Sequence, residues 1–159
     1  MQIYVVRHAI AEDAGKAGAG DARRALTLEG RKKMKDAAEG FAKLDPRIER
    51  IFSSPLVRAL QTAEIVAKAL KFAGEIDEMK ELSPGYSPEE VLKRLQELRA
   101  VKSVVLAGHE PNCSELASCL LSSSDRIHLE FKKGAICLIE SEELTAGSGI
   151  LTERMTFSD

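Results

Sequence analysis

No stretch of this 159-residue chain is apolar for long enough to span a bilayer. Its start also lacks the basic segment and apolar stretch of a secretory signal, so no membrane partner is expected. A basic excess is missing too. Lys and Arg number 23 against 25 Asp and Glu, a formal net charge of -2, whereas nucleic-acid-binding domains usually show as basic. No disulfide spacing is visible. Cys113, Cys119 and Cys137 make an odd set without a C-x-x-C pair, which reads most simply as reduced thiols in a cytoplasmic protein. Cys113 and Cys119 fall six apart on one expected helix, and Cys137 falls in an apolar strand. Nucleotide loops are absent as well. Gly15-Lys16 is followed by Ala17 rather than Ser or Thr, and the glycine spacing fits neither a phosphate loop nor a dinucleotide fingerprint. No repeat and no linker interrupts the chain. What is there is an ordinary globular composition, 44% hydrophobic and 30% charged. The length fits one domain over residues 1–159.

The run Ile3-Tyr4-Val5-Val6 is β-branched and aromatic, and predicts a buried strand ending on Arg7-His8. The small-residue stretch 14–21 reads as a flexible loop. Thr27 can cap a helix from Leu28, with Met34, Ala37, Ala38 and Phe41 inward. A second strand is expected over 48–53. Ser54 then caps a helix with Pro55 at its first position, and Leu56, Leu60, Ala63, Ala67 and Leu70 form its buried stripe. A third strand falls at 75–79. Ser87-Pro88-Glu89-Glu90 is a capping box, continued by Leu92, Leu95 and Leu98. Residues 103–107 read as a fully buried fourth strand running into Gly108-His109-Glu110-Pro111-Asn112. There Asn112 can cap a helix that turns Leu116, Leu120 and Leu121 inward. Residues 135–140 and 150–157 close the chain as two strands, a hairpin across Gly147-Ser148-Gly149. Strands alternating with helices argue for an α/β domain with a largely parallel sheet; the pattern does not encode strand order.

Three strand ends carry residues able to handle phosphate: Arg7 and His8 after the first, Arg58 in the first turn after the second, and His109 after the fourth. In open α/β sheets, ligands bind beyond the carboxyl ends of the strands. Parallel neighbours would bring all four groups into one crevice. Phosphoryl transfer spreads negative charge over three equatorial oxygens, so catalysis there is mostly positioning and charge stabilisation. Two arginines and a protonated histidine can surround those oxygens, while a neutral histidine attacks in line. His8 is the expected nucleophile. Taken singly, each residue has a plainer reading. A lone histidine after a strand is ordinarily structural or exposed, as His128 is read here, and an arginine on a helix is ordinarily solvated.

The three segments Arg7-His8-Ala9-x-Ala11, Ser53-Ser54-Pro55-Leu56-x-Arg58-Ala59-x-Gln61-Thr62 and Gly108-His109-x-Pro111 together resemble the histidine phosphatase superfamily, the phosphoglycerate mutase-like proteins. Within it, the short length, the Arg-His-Ala-x-Ala opening and the lack of a cap insertion resemble the small SixA-type phosphohistidine phosphatases. The resemblance covers nearly the whole chain. It implies a three-layer α/β/α sandwich around a largely parallel, mixed sheet, without a cap domain. By position it implies that His8 becomes a phosphohistidine and that Arg7, Arg58 and His109 bind the phosphoryl group. Ala9 stands where most of the superfamily has glycine, which suits this subgroup. Larger members take a proton donor from a Glu or Asp outside these motifs. Glu81, in Glu81-Leu82-Ser83-Pro84-Gly85, is the first candidate and Asp21 the second. A phosphohistidine needs little such help, because its leaving imidazole has a free pKa of about 6.5.

The expected activity is therefore a phosphatase, without metal or cofactor, acting through His8 on a phosphomonoester or phosphoramidate. The expected partner is a phosphohistidine protein or, failing that, a small phosphorylated substrate. Arginine beside a histidine opposes a cation, which argues against a metal. Three other readings compete. One is a small-molecule phosphatase, another a non-catalytic phosphate-binding module, and the third a phosphoglycerate-type mutase, for which the chain is short.

Overall fold

The computed structural model describes residues 1–15 and 20–155. Their elements run β1 (Gln2–Arg7), α1 (Leu28–Ala42), β2 (Arg50–Ser53), α2 (Val57–Ala69), β3 (Ile76–Glu78), α3 (Pro88–Glu97), β4 (Ser103–Gly108), α4 (Asn112–Leu121), β5 (Ile136–Glu140) and β6 (Ile150–Met155). Single 3₁₀ turns lie at Asp21–Arg23 and Lys80–Leu82. The strands form one sheet in the order β3-β2-β4-β1-β5-β6. The pairs β3–β2, β2–β4 and β4–β1 are parallel, while β5 and β6 join antiparallel. The sheet is thus mixed, with a parallel half that carries the strand ends of interest.

Side chains alternate across a strand, and β1 divides the core accordingly. Ile3 and Val5 pack with Leu92 and Leu95 of α3 and Leu116 and Leu120 of α4 on one face. Tyr4 and Val6 pack with Met34 and Phe41 of α1 and Val66 of α2 on the other. Two helices on each face of a six-stranded sheet make the expected three-layer α/β/α sandwich. Thr27 accepts from the Gly30 amide at 2.9 Å and starts α1 as its sequence position predicts. The Ser87–Glu90 capping box is complete. Cys113 and Cys119 share α4, and the three cysteines are free thiols. At Gly30 a Cβ would come within 2.1 Å of the Ile10 carbonyl oxygen. Only glycine lets α1 lie this close to the backbone that leaves β1.

Three local expectations are corrected, each by a polar group with another task. Pro55 precedes the second helix rather than opening it, because Leu56 is still extended and α2 begins at Val57. The Ser54 hydroxyl receives the Leu56 amide at 3.2 Å but is also engaged by His109. The buried face of α2 is Arg58, Ala59, Thr62, Ala63 and Val66, rotated from the purely apolar stripe. Arg58 and Thr62 are buried because they serve the strand ends, which an apolar count cannot register. Asn112 does not cap α4. Its amide donates to the Ser83 and Tyr86 carbonyls at 3.3 and 2.9 Å, while Glu110 receives the Ser114 amide at 2.9 Å. β6 is described to Met155, so the expected end at Phe157 lies outside the described residues, as do residues 16–19 of the glycine-rich stretch.

Candidate active site

Strand order builds the site. β1 lies between β4 and β5, so Arg7 pairs with Gly108 and the His8 amide donates to the Gly108 carbonyl at 2.9 Å. β2 lies beside β4, and the Ser54 amide donates to the Ala107 carbonyl at 3.0 Å. The ends of β1, β4 and β2 therefore sit side by side. Beyond them opens a cleft of about 230 Å³ lined by Arg7, His8, Ala11, Arg24, Arg58, Pro84, His109, Glu110 and Lys133. All four expected phosphate-handling residues are brought together there.

His8 is 8% exposed, and its ring lies 5.1 Å from that of His109, centroid to centroid. Its Nδ1 is 2.7 Å from the Ala9 carbonyl oxygen. A carbonyl can only accept, so Nδ1 carries the proton and Nε2 keeps its lone pair. Burial, then the charges of Arg58, Arg7 and Lys133, push the His8 pKa down to about 4, partly opposed by the Ala9 bond. His8 is thus a neutral imidazole of fixed tautomer at neutral pH. His109 Nε2 meets the Ser54 hydroxyl at 2.8 Å, and its buried Nδ1 has no hydrogen-bond partner among the described residues. Burial, then His8 and Arg58, push the His109 pKa down to about 3. The protonated histidine expected around a bound phosphoryl group is a separate state, since an anion in the cleft favours the charged form. Here both rings are neutral, and the positive charge comes from arginines and lysine.

The arginines are tethered at one edge. Arg7 donates through Nη1 to the Phe131 carbonyl, and its buried Nε has no partner among the described residues. Arg58 donates to the Asp21 carbonyl at 2.9 Å and its carboxylate at 3.2 Å, and its Nε too has no partner among the described residues. Both guanidinium groups keep donors for a further oxyanion. The motif residues after Arg58 hold the frame. Thr62 Oγ1 donates to the Arg58 carbonyl at 2.7 Å and accepts from the Ala9 amide at 3.1 Å. Gln61 Oε1 accepts from the Leu26 amide at 2.8 Å. These two side chains fix the backbone at Ala9 and at Leu26 to α2.

The carboxylates are placed differently from the sequence reading. Glu81 lies in the 3₁₀ turn with its side chain 14% exposed, 3.9 Å from Arg94 of α3, and does not line the cleft. Asp21 is taken by Arg58 and by Arg24, the latter at 3.0 Å. The carboxylate that lines the cleft is Glu110, beside His109 and anchored by the Ser114 amide. Sequence reasoning missed Glu110, Arg24 and Lys133 as cleft residues. For Glu110 the signal was its place at the same strand end as His109; Arg24 and Lys133 lie in loops whose course depends on tertiary contacts. Cys113 sits below the cleft but is fully buried, which raises its thiol pKa far above the usual range. It is not a thiolate nucleophile.

The family model of the histidine phosphatase superfamily (branch 1) matches residues 3–86. The chain belongs to the histidine phosphatase superfamily. It is 33% identical over 113 residues to the phosphohistidine phosphatase SixA of Escherichia coli (strain K12), covering 70% of this chain and 68% of that one. An uncharacterised protein of Picosynechococcus sp. is 34% identical over 143 residues, 89% of this chain and 86% of that one. A solved structure of the protein histidine phosphatase SixA complexed with tungstate superimposes with a TM-score of 0.85 at 29% identity, over 98% of this chain and 97% of that one. By sequence and by structure this superfamily member is a SixA homologue, and both comparisons support a phosphatase. Among the described residues no helix is long and apolar enough to cross a membrane.

Proposed function

We propose that the protein is a protein phosphohistidine phosphatase working through a phosphohistidine intermediate on His8. One observation carries the reading most. The Nδ1–H to Ala9 bond leaves Nε2 as a lone pair in a cleft ringed by Arg7, Arg58, Arg24 and Lys133. Nε2 attacks phosphorus, the bond to the leaving nitrogen or oxygen breaks, and the leaving atom gains a proton. Water then attacks phosphorus of the phosphorylated His8 and releases inorganic phosphate, restoring the imidazole. The cations stabilise the equatorial charge in both steps. Glu110 is the proton donor that the geometry favours over Glu81 and Asp21. No metal is required in this scheme, since four cationic side chains line the cleft and would oppose a divalent ion.

The protein-substrate part rests on the SixA relatives and on cleft size. A cleft of about 230 Å³ is smaller than pockets that enclose a whole metabolite, commonly about 300–1,000 Å³. It suits one phosphorylated side chain presented by another protein. The test is a rate comparison, with and without EDTA, on a phosphohistidine-bearing protein, a phosphotyrosine peptide and sugar phosphates. The phosphohistidine protein should show the highest kcat/KM, unchanged by EDTA. A sugar phosphate turned over above about 10⁴ M⁻¹s⁻¹, with the phosphoprotein slower, would move the reading to a small-molecule phosphatase.

A further inference from the structure

A second groove, of about 400 Å³, adjoins the cleft. Its floor is apolar, formed by Ala9, Ile10, Met34 and Ala37. Its rim carries four cations, Arg7, Lys33, Lys132 and Lys133, against one carboxylate, Glu130. In a chain of net charge -2 that local excess is a departure from the average surface. Arg7 and Lys133 line both the groove and the cleft, so the two are neighbours divided by those side chains. Lys33 is paired with Glu29 at 2.9 Å, so the positive character rests chiefly on the 132–133 side.

Backbone bonds fix the turn that carries the two lysines. The Gly134 amide donates to the Arg7 and His8 carbonyls at 3.1 and 3.3 Å, and the Arg7 amide donates to the Ala135 carbonyl at 3.1 Å. The Ala135 amide closes a turn on the Lys132 carbonyl at 2.9 Å. Gly134 takes φ of +79° to make that turn. The segment bearing Lys132 and Lys133 is thereby riveted to the end of β1, one residue from the nucleophile. The backbone there is ordered before any anion binds, so only the exposed lysine side chains remain to be ordered.

We infer that this groove is an accessory site for an acidic segment of the substrate protein, taking a Glu or Asp side chain next to the phosphorylated residue. The inference rests on the phosphatase reading above and narrows its substrate class. The phosphoryl group occupies the cleft, the apolar floor receives the aliphatic part of the neighbouring side chain, and its carboxylate meets Lys132 at the rim. Such a site selects among phosphoproteins without touching the reacting atoms.

The test uses the full chain and three probes. Two are peptides with one phosphohistidine, prepared with phosphoramidate, flanked by Glu in one and by Gln in the other. The third is 4-nitrophenyl phosphate, which carries no flanking carboxylate or amide for Lys132 to distinguish. The wild type should favour the Glu-flanked peptide in kcat/KM by about fivefold, the scale of one or two partly exposed ion pairs. High salt should shrink that preference. Lys132→Glu, which leaves the cleft untouched, should abolish or invert the preference while 4-nitrophenyl phosphate turnover stays within about twofold. Equal rates on the two peptides in the wild type overturn the inference. So does a Lys132→Glu loss that is the same on all three probes. Should no probe be hydrolysed, the phosphatase reading falls separately, and the surviving phosphopeptides report the groove by fluorescence anisotropy. A Lys132-dependent preference in binding then sustains it, and equal binding overturns it.

Discussion

Single residues decide the chemistry. Arg58 is 4% exposed, whereas an arginine on a helix is ordinarily solvated, and it lines the cleft where phosphoryl charge would develop. Arg58→Ala should therefore lower kcat by roughly 10²–10³ with the fold intact by circular dichroism. A loss below about fivefold would return it to an ordinary side chain. Glu110 makes a finer prediction. Glu110→Gln should slow phenyl phosphate, a poor leaving group, by about 10²-fold and leave 4-nitrophenyl phosphate nearly unchanged. Equal slowing of both would mean that Glu110 only supports the turn through Ser114. His8, Arg7, Arg58 and His109 were legible in the sequence because each sits next to a strand end or helix start. Glu110 shares its strand end with His109 and was passed over, because its bond from the Ser114 amide, and not its position, decides where its carboxylate lies. The neutrality of His109 was not legible, since it depends on burial and on His8 and Arg58 approaching it in space.

At the scale of elements, the sequence specified strands and helices closely and failed where polar residues are buried. The stripe of α2 shows why. An apolar pattern selects Leu56, Leu60 and Ala67, but the face turned inward also carries Arg58 and Thr62. Thr62 is engaged through its hydroxyl with the Ala9 amide and the Arg58 carbonyl, and hydrogen bonds of this kind outweigh a methyl group's preference for burial. The helix α1 carries a second constraint that periodicity cannot express. Its contact with Ile10 is backbone on helix, with no room for a side chain at Gly30. Gly30→Ala should destabilise the fold by about 1–3 kcal/mol, read as a lower urea midpoint. It should also weaken activity, because Ile10 lies two residues after the nucleophile. A midpoint equal to or above that of the wild type would contradict this packing.

The whole molecule couples protonation to stability. His8 and His109 are buried with pKa values lowered to about 4 and about 3, against about 6.5 in an unfolded chain. Between those values the unfolded chain binds more protons than the folded one. Their contribution is therefore full above about pH 6.5 and is lost as pH falls toward 4. The urea midpoint should drop between pH 7 and pH 5, and His109→Gln should flatten that slope. An unchanged slope in the variant would assign the acid sensitivity elsewhere. Strand order, which places both histidines within 5.1 Å, is the largest feature the sequence left open, since pairing between strands is set by packing across the entire sheet.

The central claim is that phosphorus passes through His8 Nε2, and rapid quench with a labelled substrate tests it most directly. Phosphate should be trapped on the protein in an acid-labile, base-stable form, mapped to His8 and absent from His8→Ala. Label on a serine or cysteine, or full turnover by His8→Ala, would contradict it.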